Sequence, residues 1–206
     1  MKQKVVEILT RAEKDLLEAQ CSPYYPTGIR DRAIIAFLRS TGCRVQELID
    51  VEEQDLRPAE RMVKVCGKGS KERLVSIDHE SWKKIQTWLK KKHEIFKKHK
   101  RKPPNLFCTI RKGKTGASST AIRAGRPMNE PIIFRMLQRR AKKAGLAKRT
   151  YPHLFRHSRA VELLHAGVNV KAIQRFLGHT NLQVTSIYLE GLNGEEAMKE
   201  IAEIPS

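Results

Sequence analysis

The spacing of apolar residues predicts a mainly α fold with one small antiparallel β-sheet, an α+β class. Through most of the 206 residues the apolar positions recur every three to four places, as on a helix with one buried stripe. Between Arg61 and Ile77 the repeat shortens to two, the signature of strands. Helix-starting and helix-stopping residues fall at the edges of the long segments, and no internal repeat or long low-complexity tract interrupts them.

Taken in order, Thr10 and Glu13 form a capping box, so the first helix starts at Arg11 and runs through Leu16 and Leu17. Pro23 and Pro26 break it over Ser22–Gly28. Asp31 to Ser40 reads as the second helix, burying Ile34, Phe37 and Leu38, and Thr41-Gly42 ends it. Helical spacing resumes from Arg44 to Val51, which puts Arg44 in a first turn just past a glycine-bearing bend. Met62, Val63 and Val65 lead into Gly67-Lys68-Gly69-Ser70, and Leu74, Val75 and Ile77 lead out, a hairpin with a glycine-rich tip. Asp78 caps a helix from Glu80 to Lys98 that buries Trp82, Ile85, Leu89 and Phe96.

The stretch Arg111–Arg126, rich in Gly, Ser, Thr and basic residues, has no period and reads as a loop. Asn129 and Pro131 open a helix with Ile133, Met136, Leu137, Ala141 and Ala144 inside. Its outer face carries Arg135, Arg139, Arg140, Lys142 and Lys143, and Gly145 ends it. Tyr151–Gly191 reads as three short helical segments. His153 and Arg156 share one face of the first, Gly178 stops the second, and a Thr180–Gln183 capping box starts the third, which carries Tyr188. Glu195 to Ile204 has the pattern of a last amphipathic helix, with Ala197, Ile201 and Ile204 on one side.

Charge points to the partner. Forty-one Lys and Arg against 22 Asp and Glu give a net charge of +19, so the surface should bind polyanions, with nucleic acid ahead of an anionic membrane. Lys90–Lys92, Lys97–Lys102 and Arg139–Lys143 read as solvated basic faces, some of them meeting phosphates. No run approaches the roughly 18 apolar residues of a spanning helix, and MKQKVVEILTRAEKD lacks a signal peptide's uninterrupted apolar segment. Cys21, Cys43, Cys66 and Cys108 form no CxxC pair, so they read as reduced, buried thiols of a cytoplasmic protein.

An imidazole, a guanidinium, a second imidazole and a phenol on neighbouring helices (His153, Arg156, His179, Tyr188) suit chemistry on a phosphodiester. The arginine can neutralise the phosphate, the phenol can attack it, and the imidazoles can hold or move protons. Arg44 and Lys68 join them as cations on a bend and a hairpin tip. His153 and His157 stand at i,i+4, but the glutamate of HExxH and a third ligand are missing, so no metal or other cofactor is expected.

These residues lie in four motifs: TGCRVQEL around Arg44, GKGSKERLV around Lys68, HLFRHS with His153 and Arg156, and LGHTNLQVTSIY from His179 to Tyr188. In order and spacing they resemble the tyrosine recombinases, or phage integrases, over roughly Leu9 to Leu192. The resemblance implies that family's catalytic-domain fold and metal-independent cleavage and rejoining of double-stranded DNA. Tyr188 would attack the scissile phosphate, leaving a 3′-phosphotyrosyl link and a free 5′-hydroxyl, and a second strand's 5′-hydroxyl would reverse the step. Arg44 and Arg156 would hold the non-bridging oxygens, Lys68 would protonate the departing 5′-oxygen, His153 would take the tyrosine proton, and His179 would hydrogen-bond the phosphate.

The family's helical arm before the catalytic domain has no room here, so the expected organisation is one catalytic domain over 1–206, its core at 9–192. The tail Asn193–Ser206 matches the place where family members pass a helix to a neighbouring subunit, so Ile201 and Ile204 are expected to dock on another protomer or fold back. Two other functions share the features: a type IB-like topoisomerase, which relaxes supercoils without pairing sites, and a non-catalytic DNA-binding module of the same fold.

Overall fold

The helix α2 (Pro26–Thr41) occupies the centre because Ala33–Leu38 are apolar at consecutive positions and leave it no polar face; all six are fully buried. The computed structural model describes residues 7–67, 69, 71–98, 102–110, 113–115, 118–122 and 124–178. Packed on α2 are α1 (Arg11–Ala19), α4 (His79–Phe96) and α6 (Pro152–His165), while α5 (Glu130–Lys143) lies against α1 and α3 (Val45–Asp50). Phe37 meets Phe107 edge-to-face in this core, ring centroids 5.7 Å apart.

Both halves of the predicted capping box of α1 are present, Glu13 N–H donating to Thr10 Oγ1 (3.2 Å) and Thr10 N–H to Glu13 Oε2 (2.8 Å). The helix α2 starts at Pro26 rather than Asp31, because a proline suits the first helical position, where its fixed φ helps and its missing N–H costs nothing. The strands β1 (Leu56–Arg57), β2 (Met62–Cys66) and β3 (Glu72–Ser76) form an antiparallel sheet in that order, with Val63 opposite Val75. Alternation along β2 turns Val63 and Val65 inward and Cys66 outward, so Cys66 is exposed, against the expectation of four buried thiols.

Asp78 caps α4 by accepting from Ser81 N–H (2.9 Å). That helix also buries Trp88, which the stripe reading passed over, with its indole N–H on Leu106 O (2.8 Å), and leaves Leu89 only partly covered. The stretch expected to be a loop contains an antiparallel ribbon, β4 (Gly113–Thr115) and β5 (Ser118–Ile122). Ladder pairing is a backbone property, so a polar ribbon leaves no apolar period to read.

Two side chains expected on solvated faces are instead engaged by internal partners, Lys92 buried and Arg140 half-buried. Lys92 is 1% exposed, its ammonium held by Glu53 and by the carbonyls of Pro103 and Asn105. Arg140 reaches from α5 to Asp31 (2.7 Å) and to Gln20 O (2.9 Å). Both side chains have stems long enough to bury while the head finds partners, which sequence spacing does not reveal. A last described helix, α7 (Val170–Leu177), packs on α6 and β3 and stops at Gly178, as predicted. The expected helices after it lie outside the described residues. Among those residues no helix is long and apolar enough to cross a membrane.

Candidate active site

The site forms where the end of α2, the start of α6 and the end of α7 converge. Gly42 closes α2 with φ +57, and a Cβ there would lie 2.8 Å from Leu177 Cδ2 and 3.2 Å from Arg159 Cβ. The bend therefore sits directly on α7 and α6, and its carbonyl accepts from Arg156 Nη1 (3.0 Å). The next residues turn into α3 with Arg44 as its N-cap, where Glu47 accepts from the Arg44 backbone N–H (2.8 Å) and from its Nη1 (3.0 Å).

Three guanidiniums then take three consecutive carbonyls at the end of α7. Arg73 donates through Nε to Phe176 O (2.9 Å), Arg156 through Nη2 to Leu177 O (2.7 Å), and Arg44 through Nη2 to Gly178 O (2.7 Å). These carbonyls are among those a helix end leaves without intrahelical partners, and they carry the negative end of its dipole, so cations are favoured there. The remaining face of Arg73 grips Glu47, Nη1 on Oε1 and Nη2 on Oε2, both at 2.8 Å. Arg44 and Arg73 thus share one carboxylate while Arg156 bonds carbonyls, and the cluster keeps an excess of positive charge suited to an anion.

Burial and then the neighbouring Arg44 charge lower Arg156 to about 10, which leaves it protonated at neutral pH. Burial raises the Glu47 carboxyl, but the hydrogen bonds from Arg73 and Arg44 outweigh that, and the net shift is downward. His153 stands in the first turn of α6, partly exposed. Loss of solvation, then the charges of Arg156 and Arg44, push its imidazole below the usual range, so it is neutral at pH 7. His157 is lowered too, by burial, His153 and Arg156, with the two rings 6.4 Å apart. Among the described residues no group of three or more His, Cys, Asp or Glu is arranged to hold a metal ion.

Of the six predicted residues, the structure brings Arg44, Arg156 and His153 together. Lys68, His179 and Tyr188 lie outside the described residues, although Gly67 and Gly178, the described neighbours of Lys68 and His179, adjoin the cluster. A Cβ on Gly67 would be 3.4 Å from Glu47 Oε1, and Gly178 carries the carbonyl bonded to Arg44. Sequence reading missed Glu47 and Arg73. Glu47 had a usable signal, since an acid three residues after a helix N-cap can bond back to it. Arg73 had none beyond lying on a strand.

A mainly helical α+β protein with a cluster of arginines gathered at one helix end is the class that this fold and site define. Residues 4–193 match the phage integrase family, and the chain belongs to it. It is 34% identical over 163 residues to the tyrosine recombinase XerC of Myxococcus xanthus, covering 79% of this chain and 51% of that protein. With the tyrosine recombinase XerD of Lacticaseibacillus casei it shares 31% identity over 180 residues, 87% of this chain and 57% of the other. The chain thus spans about half the length of the curated relatives it matches. The crystal structure of XerA recombinase superposes with a TM-score of 0.74 at 25% identity, over 98% of this chain and 67% of that one. XerH site-specific recombinase, in a post-cleavage complex with palindromic difH substrate, shares the fold at a TM-score of 0.74 and 22% identity, over 98% of this chain and 54% of that one.

Proposed function

We propose that this chain is the catalytic domain of a site-specific DNA recombinase, its core at 9–192, which cleaves and rejoins double-stranded DNA through Tyr188. The observation that carries the reading is the convergence of Arg44 and Arg156, from different helices, on adjoining carbonyls immediately before His179. In this reading the two guanidiniums take the two non-bridging oxygens of one phosphate and the extra charge of a pentacoordinate transition state. Relatives named as tyrosine recombinases support the reaction class, and the DNA-bound state described for XerH supports duplex DNA as the partner.

In this reading the Tyr188 oxygen attacks phosphorus, the bond to the 5′-oxygen breaks, and Lys68 supplies that oxygen's proton. A free phenol ionises near about pH 10, so the attack needs a base. His153, neutral at pH 7 and facing two arginines, is able to accept the proton. His179 hydrogen-bonds the phosphate. The energy of the broken ester stays in the phosphotyrosyl link, and a 5′-hydroxyl reverses the step without an external energy source. The tail Asn193–Ser206 docks Ile201 and Ile204 on another protomer when several copies sit on one site, and the protein works in the cytoplasm. A nicked suicide duplex tests the chemistry. The protein should give a denaturation-resistant adduct that Tyr188→Phe abolishes while still binding DNA. An adduct that survives that substitution removes Tyr188 from its role. Deleting 193–206 should leave monomers on DNA, and an unchanged assembly would remove the tail from its role.

A further inference from the structure

We propose that Arg73 is a positioning residue for the cleavage site, holding Glu47 off Arg44 and fixing the end of α7; this rests on the recombinase reading above. Arg73 ties three site-bearing elements together: β3, whose hairpin tip carries Lys68; α3, through Glu47; and α7, through Phe176 O. Glu47 is 2% exposed, so its charge has to be answered from within the protein. Arg73 answers it with two parallel bonds at 2.8 Å, while Arg44 makes one side-chain bond at 3.0 Å. Removing Arg73 would leave Arg44 as the sole guanidinium on that carboxylate and draw it away from a phosphate.

The second effect is steric. Gly178 has φ +67, and a Cβ there would fall 2.8 Å from Arg73 Nη1 and 3.0 Å from its Cζ. The guanidinium is therefore pressed against the backbone from which residue 179 departs. It acts as a template for that exit point as well as a hydrogen-bond donor. A lysine cannot reproduce this, since one ammonium cannot bond two carboxylate oxygens and Phe176 O with the planar fork's geometry.

The test measures single-turnover adduct formation on the suicide duplex at saturating DNA, with DNA affinity read by anisotropy, for Arg73→Ala, Arg73→Lys and Arg73→Gln. Expected is a fall in the rate constant of about 100-fold, the cost of roughly an ångström of misplacement, with DNA affinity changed less than threefold. Lysine should not restore the rate, and added guanidinium ion should partly restore the alanine variant, which a general folding defect would not allow. Wild-type rates in all three variants, or full recovery with lysine, would overturn the proposal. If Arg73→Ala does not fold, the lysine and glutamine variants decide by the same criteria. If the wild-type protein forms no adduct, the recombinase reading falls instead. Amide exchange at residues 174–178 then decides whether Arg73 holds the end of α7: faster exchange in the variants supports that, and unchanged exchange removes it.

Discussion

Glu47 and His153 are both lowered in the fold, so each favours the folded state less as pH falls, and their different ordinary values separate the two windows on the pH axis. The Glu47 carboxyl is held below its ordinary value when folded, so the unfolded state binds the proton more readily. Its stabilisation is complete above about pH 4.5 and is lost as pH falls through the lower folded value. Glu47→Gln should therefore cost stability at pH 7 and little near pH 3, read as the difference in Tm between the two proteins. His153 and His157 are lowered bases, so acid favours the unfolded chain from about pH 6.5 downward. Wild-type Tm should fall between pH 7.5 and 5.5, and the double substitution of both imidazoles by Gln should flatten that slope. A slope that survives unchanged would place the relevant protonation elsewhere. Single-residue logic also explains Lys92. Lys92→Met should cost about 1–3 kcal/mol in denaturant unfolding, because Glu53 and two carbonyls lose a donor.

At the scale of elements, the α2–α3 bend does more than end a helix. Gly42 needs φ +57, sits within 2.8 Å of Leu177 by its missing Cβ, and offers its carbonyl to Arg156. Gly42→Ala combines left-handed strain of about 1–2 kcal/mol with overpacking of similar size, so a loss of about 2–4 kcal/mol is expected. Because α7 would be pushed from the bend, phosphate-dependent activity should fall further than stability alone explains. The small cluster of Ala160, Ile173 and Leu177, with Leu163, Leu164, Val168 and Phe176 around it, is what holds α7 to α6. Arginine bonds to the last carbonyls of α7 complement that modest apolar contact, which is why they matter to where the helix ends.

For the whole molecule, a net charge of +19 sets the expected binding behaviour. If six or more phosphates are contacted, affinity for duplex DNA should fall by about 10³-fold or more between 50 and 200 mM salt. A nearly flat salt dependence would contradict a backbone-contacting DNA protein. Charge alone does not say where that surface lies, since Lys92 and Arg140 belong to the same basic runs and are spent on internal contacts.

The apolar period and the capping residues by themselves determined the described helices in outline, the β2–β3 hairpin and its place in the order. Those depend on contacts within a few residues, which the chain carries wherever it goes. The motifs also picked out Arg44, His153 and Arg156, which the fold brings together. Tertiary structure alone decided that Arg73 belongs with them, that a polar ribbon pairs at 113–122, and that Lys92 is buried. Hydrogen bonds between side chains and carbonyls a hundred residues away have no period, and an arginine on a strand looks the same in sequence whether it faces water or a buried carboxylate.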